Sequence, residues 1–178
     1  DFNHWKAITA RRYDDISIQL LNEDTYTDLH HLVVKGYETY LKKVATLKEN
    51  SSLSRNEIAL AIHKQFSQFQ VLSATREGML GVSGLNDSIE TILLAKGLIR
   101  METDATHSSW YVGRPIMVME NDYSVELFNG DIGIAIPVED EISADDTTMA
   151  QESNVRLMIS FVTADGKIRW IKPSRLPR

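Results

Sequence analysis

Three glycines, Gly78, Gly81 and Gly84, stand between an apolar run and a helical pattern. A glycine-rich turn from a strand into a helix is where backbone amides cradle phosphate. Dinucleotide folds write that turn as G-x-G-x-x-G, with an acidic residue about 20 positions further on for the ribose. Here the spacing is G-x-x-G-x-x-G, although Glu102 stands at a suitable distance. The Walker form fails too, since no Gly-Lys-Ser/Thr occurs. The pattern alone favours a flexible turn capped by Ser83. Thr75, Arg76 and Glu77 lie at the carboxyl end of the apolar run, where open α/β sheets bind ligands. A hydroxyl and a guanidinium there fit a phosphate, and fit an ordinary surface salt bridge equally well.

The other chemical groups are sparse. His4, His30, His31, His63 and His107 are scattered, with no His-x-x-x-His pair and no carboxylate cluster beside them. That pattern does not point to a metal site. The absence of cysteine excludes disulfides and thiolate chemistry. No G-x-S-x-G elbow is present. Trp110, Tyr111, Tyr123, Phe128 and Trp170 lie near Arg114, Lys167, Arg169 and Lys172 in sequence. Aromatics interleaved with bases suit single-stranded nucleic acid. Any one of them reads equally as core packing.

The elements that must position these groups divide in two. Leu29, Leu32, Val33, Tyr37, Tyr40, Leu41 and Val44 follow a helical period, with Thr25 or Thr27 as cap. Ser54 and Glu57 form a capping-box pattern ahead of Ile58, Ile62 and Phe66. "FQVLSAT" predicts a strand, "LNDSIETILLA" a helix stopped by Lys96-Gly97, and "RPIMVME" a further strand. That order is a strand–helix–strand unit of a parallel α/β sheet. Beyond Asn121 the pattern is all β. "VELFNGDIGIAI" predicts a hairpin on Asn129-Gly130, and "NVRLMISFV" a strand with Val155, Leu157, Ile159 and Phe161 on one face. A turn at "TADG" and a strand at "KIRWI" follow, which together suggest a small closed barrel.

The 178 residues suit one domain with a small appendage. No apolar run is long enough to cross a bilayer, and a reducing, cytoplasmic setting is expected. The net charge of −6 is unevenly placed. Six acids and no base lie between Pro137 and Ser153, and without them nineteen acids match nineteen bases. From Thr163 onward, Lys167, Arg169, Lys172, Arg175 and Arg178 face only Asp165. The chain opens without Met and stops just after an apparent strand, so an excised piece is expected.

Three stretches in order, "LSATREGMLGVSGLNDSIE", "WYVGRPIMVMENDYSVELFNGDIGIAI" and "KIRWIKPSRLP", resemble the RecD family, the alpha subunit of the exodeoxyribonuclease V (RecBCD) helicase–nuclease. The resemblance covers residues 67 to 177 and is weak before them. It implies part of an ATP- and Mg-dependent motor moving 5′ to 3′ on single-stranded DNA, acting in double-strand-break repair and recombination. The fold implied is α/β, a partial RecA-like (P-loop helicase) domain with a helical N-terminal part and an inserted SH3-like small β-barrel. Residues 1–66 would be its helical segment, 67–120 its strand–helix–strand, and 121–178 the barrel with an acidic loop at 137–153. RecB and RecC would be the partners.

The resemblance also assigns roles. Thr75, Arg76, Asn86, Arg114, Asn121, Lys172 and Arg175 would face DNA. Asn129, Gly130, Asp131 and Gly133 would form the junction into the barrel, with Asn121 and Asp131 bonding backbone groups there. The Walker lysine and acids and the "TVHKSQG" motif of the family are not in this sequence. The fragment alone is therefore expected to lack ATPase activity and a complete active site. Rival readings are a stand-alone RecD-like helicase, a non-enzymatic SH3-like interaction module, and a nucleotide-binding α/β enzyme using the triple-glycine loop.

Overall fold

Ser54 opens a helix as its side chain predicts. In the computed structural model, which describes residues 26–47, 52–103, 109–139 and 155–176, Ser54 Oγ accepts the Glu57 amide at 3.3 Å. The Glu57 carboxylate in return accepts the Ser54 amide at 2.8 Å. This reciprocal cap holds the Glu57 carboxyl below its ordinary range, chiefly through the Ser54 hydroxyl. The described helices are α1 (Tyr26–Leu47), α2 (Arg55–Phe66) and α3 (Val82–Ala95). Thr27 lies inside α1 rather than capping it, and Thr25 lies outside the described residues.

Helical periodicity selects the buried stripe. Leu29, Val33, Tyr40, Leu41 and Val44 of α1 meet Ala59, Ile62 and Phe66 of α2 and Leu85, Ile92 and Leu93 of α3. Leu32 belongs to the same apolar pattern but is 53% exposed, so the stripe is narrower than the sequence suggests. α3 ends at Gly97, whose φ of 66° allows Leu98 N to reach Leu93 O and Gly97 N to reach Leu94 O. This is the Schellman arrangement.

The strand expected over "FQVLSAT" does not form. Its leading residue is used otherwise. The Phe69 ring fills the notch at Gly36, where an added Cβ would lie 2.2 Å from it, and meets Tyr37 edge-on at 5.1 Å. Leu72 is left 87% exposed. The strand–helix–strand unit is therefore absent among the described residues, because the first strand has no neighbour to pair with.

The strand at "RPIMVME" does form, but in an antiparallel sheet. Strands β3 (Pro115–Met117), β4 (Ile132–Glu139), β5 (Val155–Val162) and β6 (Ile168–Ile171) pair in that order. Each pairing is antiparallel. Two short strands before them, β1 (Glu102–Thr103) and β2 (Ser109–Trp110), pair with each other. β3 precedes Asn121 yet belongs to the same sheet as everything after it. The Thr163–Lys167 turn closes the last hairpin, with Gly166 at φ 77°. A 3₁₀ turn at Pro173–Arg175 follows.

The sheet has two apolar faces. Ile134 and Ile136 pack with the helices, and half-buried Ile132, Ile168 and Trp170 join them. On the other face Ala135, Ile159, Phe161 and Ile171 form a second core, covered by Val118, Leu127 and Leu176. Leu157 joins Ile159 and Phe161 there, as the alternation predicts. The sheet stays open, with β3 and β6 as its edges. The closed barrel is thus not formed by these strands, since β3 and β6 are too short to meet around the second core. Pro137 to Glu139, expected to begin the acidic loop, instead complete β4. Proline is tolerated there because β3 pairs no further along β4 than Ile134, so a missing amide on that side breaks no ladder bond. The rest of the acidic loop lies outside the described residues.

Candidate nucleic-acid interface

Two residues of the expected DNA-facing set, Asn86 and Arg114, come together in one pocket. Asn86 and Glu90 project from α3, Tyr37 and Tyr40 from α1, and Tyr111 and Arg114 from the segment entering β3. The cavity measures about 130 Å³. Its far wall is fixed by backbone. Gly113 N donates to Ala135 O at 2.8 Å and Ala135 N to Arg114 O at 2.9 Å, which ties the segment to β4. The Tyr40 hydroxyl donates to Gly113 O at 2.7 Å, which ties it to α1. Gly113 has φ 87°, a conformation that suits glycine, and an added Cβ would lie 3.1 Å from Leu41.

The electrostatics of this pocket are mixed. The Arg114 guanidinium lies 5.7 Å from the Tyr111 ring centroid and 5.8 Å from that of Trp110, within cation–π range. Burial pushes the Tyr111 hydroxyl up to about 12, while Arg114 pulls it down and Glu90 pushes it further up. Burial also raises the Tyr40 hydroxyl well above its ordinary value.

Thr75 and Arg76 do not line this pocket; both are exposed on the triple-glycine loop. That loop satisfies its own polar groups. Val82 N donates to Thr75 O at 3.0 Å and Ser83 N to Arg76 O at 3.3 Å. Two of the amides a phosphate would need at the start of α3 are therefore occupied. Gly81, not Ser83, is the N-cap. Gly84 is needed for packing, since an added Cβ would lie 2.5 Å from Gly78 O. Ser73 Oγ ties the loop together by donating to Thr75 O and Leu80 O at 2.9 and 2.7 Å.

The Asn129-Gly130 turn joins different strands from those expected. Val118 N donates to Asp131 O and Gly130 N to Val118 O, both at 2.9 Å, so the arm leaving the turn pairs with β3. "VELF" is excluded from the sheet, and a bridge between Asp122 and Leu127 closes its loop. Only Gly130 has positive φ, 94°, and Asp131 N donates to Phe128 O at 2.9 Å. This fits a type II turn. Asn121 Oδ1 accepts Asn129 N, and Asp131 Oδ2 accepts Phe128 N, each at 2.8 Å. Gly133 lies under Phe161, whose ring would be 2.5 Å from an added Cβ.

The basic cluster divides by role. Arg169 donates to Val125 O at 2.9 Å and Glu126 O at 2.7 Å and pairs with the Glu126 carboxylate. Lys167 pairs with Asp165 at 2.8 Å. Lys172 and Arg175 are exposed around the 3₁₀ turn. The aromatics divide as well. Trp170 donates its indole N–H to Asn56 Oδ1 at 2.9 Å, under the Arg55 guanidinium at 4.9 Å. Tyr111 is buried, whereas Tyr123 and Phe128 are exposed and meet edge-on at 6.2 Å.

Sequence reasoning did not find the contacts joining α2 to the sheet, His63 with Ser160 and Asn56 with Trp170. Residues so far apart in the chain leave no local pattern. His30 and His31 are exposed, and His4 and His107 lie outside the described residues. Among the described residues no three potential metal ligands gather, and no helix is long and apolar enough to cross a membrane.

The chain is partly similar to RecD. It is 37% identical over 109 residues to the RecBCD enzyme subunit RecD of Haemophilus influenzae, a match covering 58% of this chain and 17% of that protein. It is 30% identical over 127 residues to RecD of Mycolicibacterium smegmatis, covering 71% and 20%. It is 23% identical over 153 residues to RecD of Buchnera aphidicola from Schizaphis graminum, covering 86% and 22%. The chain thus spans about a fifth of the length of the curated relatives it matches. No protein-family model matches it.

Proposed function

We propose that the chain is a segment of a RecD-type, 5′ to 3′ DNA helicase subunit, working with RecB- and RecC-like partners in the cytoplasm on DNA breaks. The observation that carries this reading is the partial similarity to RecD from several bacteria, which in one match covers 86% of the chain. In this reading the helices and the triple-glycine loop belong to the second RecA-like domain. The missing parallel strands come from the remainder of the parent protein. The antiparallel sheet with its second core belongs to the SH3-like insert.

ATP and Mg serve the parent motor, not this segment. The triple-glycine loop does not fit a triphosphate, because its own carbonyls take the amides of Val82 and Ser83. The segment's contribution is contact with the single strand, by Asn86 and Arg114 at their shared pocket and by Thr75, Arg76, Lys172 and Arg175 outside it, with Asn121 holding the turn.

The test is fluorescence anisotropy of a labelled oligonucleotide with this chain across about 50 to 200 mM salt. Phosphate contact predicts weak binding that falls steeply with salt, by about 0.7 log unit per log unit of salt for each phosphate engaged on a single strand. Lys172→Ala should weaken it and lower the slope. Absence of binding at low salt sinks the DNA-contact reading. A second reading, an SH3-like protein-interaction module, draws on exposed Met117, Met119, Tyr123 and Phe128. It predicts protein binding that survives high salt.

A further inference from the structure

We infer that the pocket between α1, α3 and the Tyr111–Arg114 segment receives a single nucleobase of a DNA strand, rather than a phosphate; this rests on the single-strand reading above. Three features select the occupant. The first is size. A cavity of about 130 Å³ has room for one flat heterocycle, and is well below the ~300–1,000 Å³ of pockets that engulf whole small molecules.

The second is charge. Arg114 and Glu90 line the same cavity, and the Tyr111 hydroxyl feels both. A phosphate drawn by the guanidinium would also meet the carboxylate. A neutral base escapes that repulsion and keeps the use of both as hydrogen-bond partners. The third is the set of groups presented. Tyr37 and Tyr111 offer aromatic surface, and the exposed Asn86 offers an amide with both a donor and an acceptor. An amide of that kind offers both the donor and the acceptor that the polar edge of a base can use.

The pocket is also built in advance. The Tyr40–Gly113 bond and the two bonds between the Gly113–Arg114 stretch and Ala135 fix its wall before any ligand arrives. Prior order of this kind reduces the entropy lost on binding.

The test compares a twelve-nucleotide oligothymidine with an abasic strand of the same backbone length, at one salt concentration, by anisotropy. Methyl resonances of Ile89 and Leu93 in the pocket lining are followed with each strand and with thymidine, which carries the base without phosphate. The oligothymidine is expected to bind about 5- to 10-fold tighter, in keeping with one stacked base. The methyls are expected to shift with oligothymidine and with thymidine but not with the abasic strand. Asn86→Ala, an exposed helix position, should remove the preference.

Equal affinity for the two strands with unmoved methyls overturns the inference. A base preference with unmoved Ile89 and Leu93 methyls overturns it as well, by locating the contact elsewhere. Methyl shifts with thymidine and no binding of either strand support a nucleobase pocket while sinking the single-strand reading, so the two failures are distinguishable.

Discussion

His63 Nε2 lies 3.0 Å from the carbonyl oxygen of Ser160 and 3.1 Å from its hydroxyl, joining the last turns of α2 to the centre of β5. Ser160 is fully buried and its Oγ donates to Ile134 O at 3.2 Å. With its proton on Nε2 the imidazole donates to the Ser160 carbonyl, beside the one buried polar side chain among the described residues.

This contact makes stability depend on pH. Burial lowers the His63 pKa below its ordinary 6.5, outweighing the opposing bond to Ser160. The unfolded chain then binds a proton more readily than the folded one. The contribution is complete above about pH 6.5 and is lost as pH falls through that value towards the folded pKa. Urea midpoints at pH 8 and pH 5.5 should show the native chain weakening at the lower pH. His63→Ala should be less stable by about 1–3 kcal/mol at pH 8, with a smaller change between the two pH values. An unchanged pH difference in the variant would refute the assignment.

Gly133 should be intolerant of a methyl group. An added Cβ would lie 2.5 Å from Phe161 Cζ and 2.6 Å from Ile159 Cγ2, and both side chains are buried. The ring cannot leave without opening the second core. Gly133→Ala is expected to cost about 1–3 kcal/mol, as overpacking does. Adding Phe161→Leu should restore part of it relative to Phe161→Leu alone. A neutral Gly133→Ala would mean that the ring sits elsewhere.

What the sequence made legible was local. The Ser54–Glu57 cap, the stop at Gly97 and the inward alternation of Leu157, Ile159 and Phe161 each depend on a few neighbouring residues. What it hid was pairing at a distance. β3 finds β4 across the excluded loop, and Phe69 leaves its expected strand for the notch at Gly36. Propensity cannot report such choices, because each is decided by a partner far along the chain. The site follows the same rule. Asn86 and Arg114 were named through a family likeness, whereas Glu90 reads in sequence as an ordinary acid on a helix surface and gains meaning only opposite Arg114.

Asn121 is expected to act through the turn rather than through DNA. Its Oδ1 accepts Asn129 N at 2.8 Å, beside the matching bond from Phe128 N to Asp131. Asn121→Ala should cost about 0.5–1.5 kcal/mol, read as a lower urea midpoint, with oligonucleotide affinity of the folded protein unchanged. A variant of native stability with lost DNA affinity would reverse that assignment.

Arg169 and Glu126 separate two ways of anchoring the excluded loop. The guanidinium bonds the Val125 and Glu126 carbonyls and also the Glu126 carboxylate. The Glu126 side chain is 68% exposed, where an ion pair contributes little. Its backbone has φ 51°, a left-handed conformation that costs a non-glycine residue energy. Glu126→Gly removes the ion pair but also the strain, so its stability should lie within about 1 kcal/mol of native. Arg169→Ala leaves the partly buried Val125 carbonyl, and the exposed Glu126 carbonyl beside it, without their donor and should cost about 1–3 kcal/mol. It should also loosen the loop that carries Tyr123 and Phe128, seen as faster amide exchange at Val125 and Leu127. Equal losses from both variants would make the ion pair, and not the carbonyl clamp, the anchor of this loop.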